Sequence, residues 1–124
     1  MGGALGSVLR YWLSIVIGKH WGDDFPWGTL IVNVSGCVVI GAFGALTGPG
    51  GRWMTSTLVR QFVMIGICGG YTTFSSFSLQ TLSLMEAGQW PRAIAYILAS
   101  VTLCLLGVWG GVALANAVNV ADRA

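Results

Sequence analysis

Residues Gly66–Gln80 read Gly-Ile-Cys-Gly-Gly-Tyr-Thr-Thr-Phe-Ser-Ser-Phe-Ser-Leu-Gln, inside a run from Gln61 to Met85 that carries no charged residue. The run is long enough for a bilayer, whose hydrocarbon core of about 30 Å takes about 20 mostly apolar residues per helix. Two adjacent glycines followed by two β-branched threonines make a poor continuous helix, since glycine costs about 1 kcal/mol against alanine. The segment therefore predicts a membrane span broken near its middle. Broken backbone at that depth must be satisfied by protein or a cavity, and the freed carbonyls commonly hold a cation. Beyond the break, Phe74 and Phe77 stand three apart on one helix face, while Ser75 and Ser78 line the adjacent one.

The rest of the chain fits the same solvent. Of its 124 residues 55% are hydrophobic and 8% charged, against about 25% charged in an ordinary soluble domain. Mean hydropathy is +0.77. So few charges cannot cover a water-facing surface, and the composition also excludes disorder. A net charge of +2 gives no basic field for a nucleic acid. Two further charge-free runs, Phe25 to Gly51 and Ala93 to Ala121, are long enough to span. A fourth apolar stretch from Gly2 to about Gly18 carries Arg10 near its middle and ends at Lys19, His20 and the Gly22-Asp23-Asp24 loop. A cleaved signal peptide would place its positive charge ahead of the apolar core, so this stretch is read as a retained helix, with a few native residues expected upstream. The expectation is an all-α membrane protein: one transmembrane domain over 1–124, with spans at about 2–18, 28–47, 61–85 and 93–117.

Four spans put both termini, Arg52, Arg60 and Arg123 on one side of the membrane and Lys19 and Arg92 on the other. Orientation follows the Lys/Arg excess in short loops, and this balance is nearly even. Either a partner fixes one orientation, or both insert and an antiparallel homodimer forms about a twofold axis in the membrane plane. Glycine supports tight packing in lipid: pairs four apart occur at Gly2/Gly6, Gly44/Gly48, Gly66/Gly70 and Gly107/Gly111. Ordinary glycine enrichment in membrane helices accounts for any single pair equally well.

Catalysis and metal chemistry have little to work with. Cys37, Cys68 and Cys104 lie in different spans without C-x-x-C spacing, and read as small packing residues. His20 is the only histidine and sits in a loop beside Trp21, so no nucleophile, base and orienting acid can be assembled. What remains is polar content inside the spans, which is costly unless partnered or wet. Asn33, about one turn into the second span, joins the hydroxyls of the third. Hydroxyl protons, an amide and the positive edge of a phenyl ring can together line a path for a small, hard anion without a full positive charge. In the plainer alternative the phenyl rings are core and the serines bond their own helix carbonyls.

The motifs favour the first reading. Gly3-Ala4-Leu5-Gly6-Ser7-Val8-Leu9-Arg10-Tyr11, Gly28-Thr29-Leu30-Ile31-Val32-Asn33 and Gly69-Gly70-Tyr71-Thr72-Thr73-Phe74-Ser75-Ser76-Phe77-Ser78 each resemble, in order, a motif of the Fluc (CrcB) family of fluoride channels. The resemblance implies a dual-topology antiparallel homodimer of four-span chains in the bacterial inner membrane. It implies two fluoride pores and a structural sodium ion on the twofold axis. By position, Gly69 and Thr72 would offer backbone carbonyls to sodium, Phe74 and Phe77 would edge the fluoride path, and Asn33 would donate to the ion. Ser75, Ser76 and Ser78 would form a polar track, joined on the fourth span by Tyr96, Ser100 and Cys104. Arg10 would anchor the dimer centre as a structural residue. Cys104 stands where a hydroxyl is expected, Gln80 where the family usually has glutamate, and Ser76 where threonine is common. The implied activity is passive export of cytoplasmic fluoride, hence fluoride resistance. A small dual-topology multidrug-type exporter is the competing transporter, but it needs an intramembrane carboxylate, and Glu86, the only glutamate, lies at a span end. A non-transporting assembly subunit is the third reading.

Overall fold

The computed structural model describes residues 1–124, and every regular element is helical. Helix α1 (Gly2–Trp21) stops where Gly22 turns at φ +81°. Helix α2 (Trp27–Thr47) follows a short loop. After a second loop, α3 (Thr57–Gln61) is started by Ser56, whose Oγ accepts from the Val59 N–H at 3.3 Å. The path continues through a π-helical stretch (Phe62–Cys68) into α4 (Gly69–Tyr71), is interrupted, and resumes as α5 (Phe74–Glu86). Helix α6 (Trp90–Ala121) closes the chain, with Pro91 in its first turn, where the missing N–H costs nothing.

Three of these paths, Trp27–Thr47, Thr57–Glu86 and Trp90–Ala121, are long and apolar enough to cross a membrane. Only 18 of 124 residues are buried, while Leu5, Val8, Ile65, Leu98 and Leu105 lie open on the helix surfaces. Apolar side chains in that number have no place in water, so the surface is built for lipid and for other chains. The protein is a multi-pass integral membrane protein. At 20 residues α1 is about 30 Å long, the thickness of the hydrocarbon core, though Arg10 and Lys19 set it apart from the three apolar paths.

Two tight contacts organise the molecule, and glycine makes both. Helices α2 and α6 form the most extensive pairing, where a methyl on Gly111 would run into the Val38 carbonyl and one on Gly41 into the Val108 carbonyl. Helix α1 lies against the π stretch and α4. A Cβ on Gly2 would stand 2.9 Å from the Phe62 carbonyl oxygen, and one on Gly70 would overlap Gly3 backbone. The pairs Gly2/Gly6, Gly66/Gly70 and Gly107/Gly111 thus sit at helix crossings. Gly44/Gly48 is looser: a Cβ on Gly44 would meet only the Met64 side-chain end, at 3.4 Å, and one on Gly48 only the Gly44 oxygen.

The interruption falls on Thr72 (ψ 157°) and Thr73 (φ −150°, ψ 118°), in extended backbone, while Gly69 and Gly70 stay helical. Gly70 serves close approach to α1, Gly69 does not, and the threonines carry the break. β-branched residues tolerate extended backbone well, and the Thr73 hydroxyl caps the next helix. The π winding just before the break has no signature in the sequence reading. It lies where α1 presses its glycines onto Phe62 and Gly66.

Candidate functional site

Interrupting a helix in an apolar medium leaves backbone groups to be satisfied. The Thr73 N–H, which a continuous helix would direct to Gly69, donates instead to Asn33 Oδ1 at 2.7 Å. Asn33 Nδ2 donates in return to the Thr73 carbonyl at 3.0 Å. One carboxamide from α2 therefore clamps both polar groups of a residue 40 positions away, and keeps a second N–H outside this pair of bonds. The Ser76 N–H, which would otherwise reach Thr72, goes to Thr73 Oγ1 at 3.2 Å. The carbonyls of Gly69 and Thr72 are left without their helical donors. The Gly70 carbonyl receives only a long bond from Ser7 Oγ, 3.4 Å.

Beside the clamp lies a groove of about 410 Å³ between α2, the broken path and α6. Asn33, Gly69, Thr72, Phe74, Phe77, Ser100 and Cys104, all singled out in the sequence, line it together, and no lining residue is charged. The phenyl rings of Phe74 and Phe77 are 5.4 Å apart between centroids and tilted by 49°. Phe74 is 78% exposed, so in the single chain its ring is covered on few sides. The Ser100 hydroxyl is buried and has no hydrogen-bond partner. Most buried polar groups are hydrogen-bonded, so Ser100 stands out in the groove wall.

The other singled-out residues lie outside this lining. Tyr96 is fully buried behind it: its ring packs 5.1 Å from Phe77 and 5.4 Å from Phe25, and its hydroxyl donates to Gln80 Oε1 at 2.8 Å. Ser78 is exposed and bonds the Phe74 carbonyl of its own helix at 3.0 Å, as the plainer alternative has it for that residue. Ser75 and Ser76 group around the Thr73 hydroxyl, each at 3.2 Å. Arg10, on α1, is not part of the lining. A second hollow of about 420 Å³, more polar, opens at the α1–α2 loop and is lined by Asp23, Asp24, Gln80 and Ser83 among others. Through Tyr96, which bonds Gln80 of this hollow and packs on Phe77 of the groove, the two linings are joined.

The sequence reading gave no role to Gly36, took Thr73 only as part of a poor helix and read Cys37 as a packing residue. Thr73 is the clamped residue, and Gly36 gives room to Thr72, whose Cγ2 a Cβ at 36 would overlap. A signal existed on α2, where Asn33, Gly36, Cys37 and Ile40 follow helical spacing along the groove.

The family model described as CrcB-like protein, Camphor Resistance (CrcB), matches residues 1–112. The chain belongs to the CrcB-like family. Among curated CrcB-like relatives, one from Rhodospirillum rubrum is 61% identical over 110 residues, covering 89% of this chain and 85% of the relative. One from Opitutus terrae is 54% identical, covering 90% and 84%. One from Methylocella silvestris is 52% identical, covering 96% and 91%. Each of the three is named a fluoride-specific ion channel, FluC.

Proposed function

We propose that this CrcB-like chain is a passive, fluoride-selective channel that exports cytoplasmic fluoride. The observation that carries the reading is the groove at the helix break, where a phenyl pair, a clamped amide and the unpartnered Ser100 hydroxyl meet without a full charge. The names of the relatives point the same way. Outside the cell fluoride enters as its neutral acid, which crosses lipid and ionises in the less acidic cytoplasm. A membrane potential, negative inside, then drives the anion out, worth about 2.3 kcal/mol per charge per 100 mV. Selectivity comes from replacing the hydration shell with a fixed set of donors: the free N–H of Asn33, the Ser100 hydroxyl and the edges of Phe74 and Phe77. Ser75 and Ser76, with Ser78 and Tyr96, extend polar contacts along α5 and α6, and Cys104 supplies a weaker donor.

The working unit in this reading is an antiparallel homodimer in which α1 is the fourth span and Arg10 anchors the centre. It is supported by the near-even basic residues of the two sides and by the open ring of Phe74, which a second copy would cover. The carbonyls of Gly69 and Thr72, deprived of helical donors, are chemically suited to sodium, which takes oxygen ligands. When bound, the ion would supply fixed positive charge to the centre of the assembly.

Fluoride efflux from liposomes holding only the purified protein, with potassium and valinomycin clamping the potential, tests the reading beside a chloride control. Fluoride efflux without chloride efflux is expected, and Phe77→Ile is expected to abolish it while the protein keeps its elution volume. No fluoride efflux from folded protein would overturn the channel reading and turn attention to an assembly role.

A further inference from the structure

The break is tied to α2 at two places, in antiparallel register. Thr73 meets Asn33 through both of its backbone groups, and two residues earlier Tyr71 meets Ser35, hydroxyl to hydroxyl at 2.8 Å. Ser35 Oγ donates to the Val32 carbonyl at 3.1 Å, so in this pair the hydroxyl of the buried Tyr71 is the donor. Gly36 lies alongside, where a Cβ would stand 3.1 Å from Tyr71 Cδ1. Thr72 is held between the two ties. Its N–H and its hydroxyl both donate to the Cys68 carbonyl, at 3.0 and 2.9 Å, which leaves its own carbonyl to spare. That carbonyl shares a planar trans peptide with the Thr73 N–H, so it points away from the Asn33 carboxamide that the N–H meets. The tie at Thr73 holds one end of this peptide plane. The tie at Tyr71 holds the chain that enters it, and the two together stop the plane from rocking.

We propose that Tyr71 and Ser35 are positioning residues: their bond sets the angle at which the Thr72 carbonyl meets a sodium ion, and so sharpens the preference for sodium over the larger potassium. Groups behind a metal's ligands commonly act in this way, orienting the ligand without touching the metal. The role rests on the reading of sodium at Gly69 and Thr72.

Thermal melts of the full-length protein in detergent test it, with sodium or potassium titrated in against N-methylglucamine at constant ionic strength. The unaltered protein should be stabilised by sodium at lower concentrations than by potassium. Tyr71→Phe, which keeps the ring against Gly36, should raise the half-stabilising sodium concentration about tenfold and move the potassium one less, so that the two converge. Ser35→Ala should do the same, and Ser35→Thr, which keeps the hydroxyl, should restore the sodium value. Ser83→Ala removes a hydroxyl that bonds the Leu79 carbonyl of its own helix at 3.0 Å, and should leave both concentrations where they were. A lower melt with an unchanged sodium concentration in Tyr71→Phe and Ser35→Ala would reduce the bond to packing and overturn the positioning role alone, as would equal shifts for the two cations. An unaltered protein whose melt ignores sodium would overturn the sodium reading itself, and the positioning role with it.

Discussion

The α2–α6 pair and the path from Thr57 to Glu86 solve the same problem in opposite ways. Both must satisfy every backbone group in a medium that offers no water. In α2 and α6 each helix does this almost alone, and the partner contributes mainly shape, with Gly41 and Gly111 letting backbones touch and a single long bond from Asn119 to the Ala45 carbonyl near the end of α2. Along the other path the helix widens into a π stretch, contracts, breaks at Thr72 and Thr73, and depends on a side chain from α2 to accept and donate across the gap. The first arrangement makes a wall. The second leaves carbonyls without their helical donors, and its gap is bridged by Asn33 of the wall.

That dependence can be broken most severely at Asn33. Asn33→Leu removes both bonds to Thr73 and leaves a buried N–H and C=O unpaired, at about 1–3 kcal/mol each. A large loss of thermal stability in detergent and no fluoride efflux are expected. Gly111→Leu attacks the wall instead, driving a side chain into the Val38 carbonyl, with a stability loss of about 2 kcal/mol read from the same melt. If the two regions divide as described, residual folded Gly111→Leu protein conducts and residual folded Asn33→Leu protein does not. Tyr96→Phe tests the junction of the groove with the polar hollow: losing the bond to Gln80 should cost about 1 kcal/mol, and fluoride efflux should change more than the melt. Smallest of all is Arg52→Ala at the α2–α3 connection. Its ion pair with Asp122 is nearly half exposed on both sides, so less than about 1 kcal/mol and no change in efflux are expected.

Much of this was readable from residue order, for reasons that differ by element. Uninterrupted apolar runs mark α2 and α6 because burial in lipid requires little more than length and the absence of charge. The broken segment was legible as poor helix, yet its glycines misled, because glycine serves close packing as readily as flexibility. Which hydroxyls bond across to Thr73 and which bond their own helix carbonyls was not legible. Ser75 and Ser78 share a stripe in the sequence, but Ser78 turns to the Phe74 carbonyl and Ser75 to Thr73. Nor could spacing show that Asn33 reaches Thr73, since a contact across 40 residues is decided by how α2 and the break pack together. The π stretch, which lies against α1, leaves no mark of its own in the residue order.

That stretch also fixes the angular setting of the chain beyond it. An α-helix turns about 100° per residue, and a stretch of wider winding shifts the register of every later residue on the same path. Gly70 faces Gly3, Thr73 faces Asn33 and Phe77 faces Tyr96 in one common phase. Rewound as plain α-helix with every residue kept, Phe62–Cys68 would turn further and carry all three away together. The winding of this segment is therefore as much a part of the site as the identity of any side chain in it.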